Sequence, residues 1–242
     1  MPNALITGAS RGLGRAIAHA LAGRGWTVIA DARRADDLTA ALHGLAGVTA
    51  IPGDVTDPGH QARLAAAVAS HGRLDLLVNN ASRLGPSPLP HLRDYPLDEL
   101  ARVYDTDVIA PLALIQLLAG PLTAAAGTIV NISSDAAVEA YPGWGGYGSA
   151  KAALDQLTSV LAAEEQPLRC YAFDPGDMRT DMHQQAFPGE DISDRPEPET
   201  VVPALLRLLA SRPPSGRYRA SELAAPAGPA TAAGLATPAV TP

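Results

Sequence analysis

Tyr147 and Lys151 stand four residues apart, and in a helix that spacing brings both side chains to one face. The neighbouring ammonium favours phenolate over phenol and draws a tyrosine pKa down from about 10 toward neutrality, where proton transfer is efficient. Upstream, the apolar stretch Thr128-Ile129-Val130-Asn131-Ile132 reads as a strand ending in Ser133-Ser134, and the Gly-rich loop after it can return the Ser134 hydroxyl to the same place. A weak acid, a cation and a hydroxyl together suit proton exchange with an oxygen that gains or loses charge. Taken alone, Tyr-x-x-x-Lys describes a solvated helix face equally well, so the surrounding elements decide.

Those elements alternate. Short apolar strands and Ala/Leu-rich helical stretches follow one another, which predicts an α/β fold with helices on both faces of a parallel sheet. Strands are expected near Ala4–Thr7, Thr27–Ala32, Val48–Pro52, Leu74–Asn79, Thr128–Ser133, Leu168–Asp174 and Gly216–Ala220. Leu13, Ile17 and Leu21 recur at helical spacing, as do Leu154, Leu157 and Leu161, and Val201, Leu205, Leu208 and Leu209; each set reads as a core-facing stripe. The result is a doubly wound, seven-stranded parallel sheet in three layers, held in one domain over residues 1–220. Two segments interrupt the alternation, Ser82–Pro96 and Pro175–Pro198, and excursions of that length in a compact domain are usually functional lids or disordered. Ser221–Pro242 is Ala/Pro/Gly/Thr-rich without apolar periodicity and is expected to be a mostly disordered tail.

The first strand runs into Thr7-Gly8-Ala9-Ser10-Arg11-Gly12-Leu13-Gly14 and at once into a helix. Glycines there let the backbone approach a pyrophosphate, while the helix N-terminus offers free N–H groups and a positive dipole end. A dinucleotide suits this turn.

The spacing Gly8-x-x-x-Gly12-x-Gly14, with Tyr147-x-x-x-Lys151 and a serine 13 residues before the tyrosine, resembles the single-domain branch of the short-chain dehydrogenase/reductase family. The likeness covers about residues 4 to 220. It takes in, in order, Asp54 in Gly-Asp-Val-Thr-Asp, Asn79-Asn80-Ala81 after the fourth strand, and Pro175-Gly176 with Thr180 after the sixth. The resemblance implies a three-layer Rossmann fold and hydride transfer between a nicotinamide and a carbonyl carbon. Tyr147 would give the proton to the developing alkoxide, Ser134 would hydrogen-bond the substrate oxygen, and Lys151 would lower the Tyr147 pKa while binding the nicotinamide ribose. The cofactor would lie along Gly8, Ser10, Arg11, Gly12, Leu13 and Gly14, with Asp54 approaching the adenine, Asn80 and Ala81 lining the cleft, and Thr180 meeting the nicotinamide carboxamide. Val55, Pro175, Gly176 and Met178 complete the implied cofactor set.

Cofactor choice turns on the end of the second strand. An acidic residue there binds ribose hydroxyls and repels a 2′-phosphate, whereas an arginine accepts it. Counted from Gly25 as in the family, the selecting position falls on Ala32 and the next on Arg33, with Asp31 one residue early and on the opposite strand face. Arg11 adds a second cation near the expected phosphate. NADP(H) is therefore expected to be preferred, with NAD(H) as the alternative.

Two positions depart from the family pattern. Asp107 stands where the family usually has an asparagine that supports a water leading from the lysine, and a charge there would partly offset Lys151 and raise the Tyr147 pKa. Ser82 stands where a glycine commonly follows Asn-Asn-Ala and reads as tolerated variation.

Trp144, Tyr141, Leu84, Met182 and Phe187 are candidates for an apolar substrate wall. His19, His43, His60, His71, His91 and His183 lack metal-ligand spacing, most are expected at the surface, and no metal site is proposed. The net charge of −7 and the absence of a Lys/Arg run argue against a nucleic-acid face. Cys170 is the only cysteine, so it reads as a small buried hydrophobe. Without an apolar run approaching 18 residues or a basic, apolar leader before Asn3, no membrane partner is expected and the protein is expected in the cytoplasm. A carbonyl reductase or alcohol dehydrogenase acting on a small to medium apolar substrate fits best, as a homodimer or homotetramer by family resemblance. The alternatives are a member of the longer, epimerising branch and a non-catalytic protein that kept the fold.

Overall fold

In the computed structural model, which describes residues 1–223, the first half comprises β1 (Asn3–Ile6), α1 (Gly12–Ala22), β2 (Thr27–Ala32), α2 (Ala35–Leu42), β3 (Val48–Pro52), α3 (Pro58–Ala69) and β4 (Leu76–Asn79). The second half comprises α4 (Leu97–Tyr104), α5 (Ala110–Ala125), β5 (Thr128–Ile132), α6 (Gly145–Glu164), β6 (Arg169–Asp174), α7 (Asp181–Ala186), α8 (Val202–Ser211) and β7 (Gly216–Arg219). Of the tail expected to be disordered, residues 224–242 lie outside the described residues.

All seven strands pair in parallel, in the order β3-β2-β1-β4-β5-β6-β7. The chain winds outward from β1 in one direction and from β4 in the other, so a crevice opens at the carboxyl ends of these two strands, where an α/β sheet receives its ligands. Because both faces are covered, the inner strands are apolar on both sides, whereas the edge strands β3 and β7 are only partly buried. Ile6, Val28, Val130, Tyr171 and Phe173 pack with Ile17 and Leu21 of α1 and with Leu205 and Leu208 of α8. The alternate residues Leu5, Ile29, Leu77, Ile129 and Cys170 pack with Leu64 of α3 and Leu114, Leu118 and Leu122 of α5. Burial pushes the Cys170 thiol up to about 11, in keeping with a structural role. The continuous helix 97–125 is long and apolar enough by composition to cross a bilayer, but its Leu114, Leu118 and Leu122 are fully buried against the sheet.

Strand ends differ slightly from expectation. Thr7 was expected inside the first strand but turns out of it, because its hydroxyl accepts the N–H groups of Asn80 and Ala81, each at 2.9 Å. Leu74 precedes β4, its N–H donating instead to Pro121 of α5 at 3.0 Å. Of the α6 stripe, Leu154 is buried while Leu157 and Leu161 are half-buried.

Between α4 and α5 the helix widens into a single π-helical turn, Asp105–Ile109. Such turns insert a residue into the helical repeat and re-aim its side chain, often at functional sites. The turn carries Asp107, its one fully buried residue.

Candidate active site

The turn after β1 is shaped for an anion. Gly8 (φ +69°) and Gly12 (φ +53°) occupy the left-handed region, which glycine enters without strain. Helix α1 starts with no side-chain cap and no acidic residue in its first turn, so its N–H groups and dipole face outward unopposed. Asn80, expected to line the cleft, also braces this turn, its side-chain amide donating to the Thr7 carbonyl at 2.8 Å and the Gly8 carbonyl at 3.1 Å. A Cβ on Gly14 would sit 2.4 Å from both the Gly8 oxygen and Asn80 Nδ2. Gly14→Ala should therefore push the turn off α1, lowering the melting temperature by about 2–10 °C and weakening dinucleotide binding. Thermal melts with and without NADPH check this; an unchanged melt and unchanged ligand-induced shift would refute it.

Asp31 is absorbed by structure. Its Oδ1 accepts the Gly8 N–H at 2.8 Å and its Oδ2 meets His60 Nε2 at 2.9 Å, with both side chains buried. Burial raises the Asp31 pKa, against the His60 and Gly8 contacts that lower it. The expectation that most histidines lie at the surface has an exception in His60, which is fully buried in the first turn of α3 and touched by Arg63 at 3.1 Å. Arg33 and Arg34 emerge at the exposed end of β2; Arg34 pairs with Asp37, and the charge of Arg33 reaches Asp54. Burial works to raise the Asp54 pKa, but the Thr56 N–H and hydroxyl at 2.9 and 2.8 Å, with Arg33, hold it below the ordinary carboxylate value. Arg11, expected near the 2′-phosphate, instead reaches Asp181 at 2.8 Å, where the two exposed side chains satisfy each other.

At the far end of the same cavity, α6 carries Tyr147 and Lys151. Lys151 Nζ is buried 3.0 Å from Asp107 Oδ1 and 2.9 Å from the Ile132 carbonyl, and lies 5.4 Å from the Tyr147 ring centre. The sequence reading had Lys151 drawing the phenol toward neutrality, but the balance runs the other way. Burial raises the Tyr147 pKa most, Lys151 pulls it down, Asp107 pushes it up, and the hydroxyls of Ser82 and Ser134 favour the ionised form without outweighing burial. Ser134 Oγ lies 3.0 Å from Asp135 Oδ1 and accepts the Ala136 N–H at 3.2 Å, so it is partly engaged.

Two supports escaped the sequence reading. Asn79 Nδ2 donates to Asn131 Oδ1, and Asn131 Nδ2 to Thr158 Oγ1, each at 2.8 Å, a buried ladder from β4 through β5 to α6. Arg217 of β7 donates to the Ser134 carbonyl at 2.9 Å, to Asp174 at 2.8 Å and to Asp155 of α6 at 3.0 Å. Asp174 in turn accepts the Gly176 N–H at 3.0 Å. Arg217 thus ties the Ser134 turn to the Pro175-Gly176 turn across the cleft; as one arginine in Gly-Arg-Tyr-Arg it carries no sequence signal.

The Gly8–Gly14 turn and the Ser134, Tyr147 and Lys151 side chains share one cavity of about 1070 Å³. Every residue expected to do the chemistry or hold the cofactor lines it except Gly14 and Asp107, which stand directly behind its wall; of the substrate-wall candidates, Leu84, Trp144 and Met182 line it and Tyr141 and Phe187 do not. Thr180 lines it while its hydroxyl caps α7 by accepting the His183 N–H at 3.2 Å. Leu84, Trp144, Met182 and Phe187 form an apolar cluster with Tyr147, Trp144 lying 5.9 Å from Tyr147 and 6.0 Å from Phe187 between ring centres. Tyr141, expected in this wall, is turned away: it is 44% exposed and its hydroxyl donates to Asp135 at 3.1 Å.

The short chain dehydrogenase family profile matches residues 2–191. The chain is 33% identical to benzil reductase ((S)-benzoin forming) of Bacillus subtilis over 184 residues, covering 74% of this chain and 75% of that protein. It is 36% identical to sepiapterin reductase of Mus musculus over 203 residues, covering 75% and 76%. Among solved structures, a short chain dehydrogenase from Shigella flexneri complexed with NADP superposes with a TM-score of 0.84 at 28% identity, covering 91% of this chain and 97% of that one.

Proposed function

The chain belongs to the short chain dehydrogenase family, and from that premise we propose that it is an NADP(H)-dependent oxidoreductase interconverting a ketone or aldehyde with an alcohol, Tyr147 serving as general acid and base. The observation that carries this reading is the joining of two half-sites in one cavity: an anion cradle at Gly8–Gly14 and a buried Tyr147–Lys151–Asp107 cluster. The bound nicotinamide would supply or accept the hydride.

The residues present fit such a group. The N–H groups at the start of α1 would take the pyrophosphate, and the left-handed glycines leave its approach free of side chains. Arg33 would pair with a 2′-phosphate, since Asp31 has both oxygens committed and offers no free carboxylate to ribose hydroxyls. The NADP complex of the Shigella flexneri relative supports this preference by analogy. Lys151 would use its remaining donor on the nicotinamide ribose, and Thr180 its free hydroxyl proton on the carboxamide.

In reduction, Tyr147 gives its proton to the carbonyl oxygen as charge develops there, and Ser134 turns its hydroxyl from Asp135 to the same oxygen. Leu84, Trp144 and Met182 would exclude water and hold the apolar part of the substrate. The named relatives benzil reductase and sepiapterin reductase agree with a reductive reaction on a small molecule. We read the active form as a homodimer or homotetramer in the cytoplasm, and size-exclusion chromatography tests the first of these. The central test is a panel of ketones and aldehydes with NADPH and NADH consumption followed by absorbance. Turnover of no carbonyl, or equal use of both cofactors, would sink the corresponding half of the proposal.

The raised Tyr147 pKa gives the reaction a pH signature. Reduction needs the protonated phenol and is lost as pH rises through its pKa, so an elevated value carries reduction into alkaline solution. Asp107→Asn removes the charge that pushes this pKa up while the Ile132 carbonyl still holds Lys151. The alkaline limb of the reduction profile should then move down by about one pH unit. Coincident profiles for the two proteins would contradict the assignment.

A further inference from the structure

The two positions at which the chain departs from the pattern it resembles, Ser82 and Asp107, meet at a hydrogen bond. Asp107 is fully buried and its carboxylate accepts three hydrogen bonds. Oδ1 accepts the Ser82 hydroxyl and Lys151 Nζ at 3.0 Å, while Oδ2 accepts the Arg83 N–H at 2.9 Å. Lys151 divides its donors between this carboxylate and the Ile132 carbonyl at 2.9 Å. How much cationic field reaches Tyr147 therefore depends on how far Asp107 is neutralised by its other donors. A buried anion given one hydrogen bond less draws its counter-ion closer.

We propose that Ser82 is a positioning residue of the proton-transfer site: its hydroxyl holds and partly neutralises Asp107, leaves more of the Lys151 charge on Tyr147, and so sets the pH at which Tyr147 exchanges its proton. The proposal rests on the acid and base role assigned to Tyr147 above. Without the Ser82 donor, Asp107 consumes more of Lys151 and the phenol becomes harder to ionise. The remaining charged and titratable neighbours are common to every variant compared. Arg83 is bound to Glu99 of α4 at 2.7 Å, Asp155 lies one turn beyond Lys151 and is bound to Arg217 of β7 at 3.0 Å, and Tyr95 faces Asp107 from the segment before α4.

The test is an ultraviolet titration of tyrosinate in cofactor-free protein, with the Tyr147 share isolated by subtracting the same titration of a matched Tyr147→Phe protein. Circular dichroism at each pH confines the measurement to folded material. Ser82→Ala should raise the Tyr147 midpoint by about 0.5 to 1 pH unit, and Ser82→Thr should restore it. In the Asp107→Asn background only the direct contact of the Ser82 hydroxyl with Tyr147 remains, so Ser82→Ala should move the midpoint by less than about half of its shift beside the carboxylate. The alkaline limb of reduction provides a second readout and should move with the midpoint. An unmoved midpoint in Ser82→Ala, or an equal shift with and without the Asp107 charge, overturns the proposal. Since titration needs no turnover, it fails independently of the reductase reading: a protein that reduces no carbonyl can still display the shift, and an active one can lack it.

Discussion

Tyr147→Phe should lower kcat for carbonyl reduction by about 10²–10⁴-fold, the span over which a positioned acid accelerates proton transfer. NADPH affinity should stay nearly unchanged. The expectation follows from where the hydroxyl sits. Tyr147 is 8% exposed at the cavity wall, its ring is packed edge-on against Trp144, and the Gly8–Gly14 cradle lies at the other end of the cavity. Removing one oxygen leaves the ring, the Trp144 contact and the cradle in place. Pre-steady-state hydride transfer and NADPH fluorescence titration separate the two effects. Retained turnover would mean that another group delivers the proton, and lost NADPH binding would mean that the variant has collapsed the site.

Arg33→Ala carries the second large effect. A charge-assisted contact to a phosphate is worth about 1.5–3 kcal/mol, so NADPH should bind about 10- to 150-fold more weakly. NADH affinity should hold, because that cofactor has no phosphate at the ribose 2′ position. Arg33 is suited to the task because it is exposed at the cavity rim without an ion-pair partner among the described residues, whereas Arg34 is held by Asp37 and Arg11 by Asp181. Parallel weakening of both cofactors would assign Arg33 to the adenosine as a whole; no weakening would move the phosphate contact to Arg11 or Arg34.

Much of this was legible in the chain because the features are local or periodic. The alternation of apolar faces in β1, β2 and β4 follows from burial on both sides, and the Gly8–Gly14 turn follows from backbone conformations that few residues tolerate. Tyr147 and Lys151 need only one helical turn to meet. What escaped is non-local. Asn79, Asn131 and Thr158 contact one another across 52 and 27 residues, and nothing in their spacing marks the ladder. Asp31 was read as a carboxylate one residue out of register, but its partner His60 comes from another element 29 residues away. Sign was harder still than proximity. Lys151 lowers the Tyr147 pKa as its charge requires, yet burial of the phenol, a property of the finished fold, outweighs it.

Arg217 has a temporal side. Its bond to the Ser134 carbonyl spans 83 residues, and it is made by the last strand of the described sheet. Chains are synthesised from the N-terminus and begin folding in that order. A nascent chain with β1 to β6 and both proton-transfer residues still lacks the guanidinium that holds the Ser134 turn, Asp174 and Asp155 together. During that interval Asp155 and Asp174 lack the guanidinium that bridges them, so chemical competence should arrive on the ribosome late, timed by the emergence of residue 217 rather than by the earlier appearance of Tyr147.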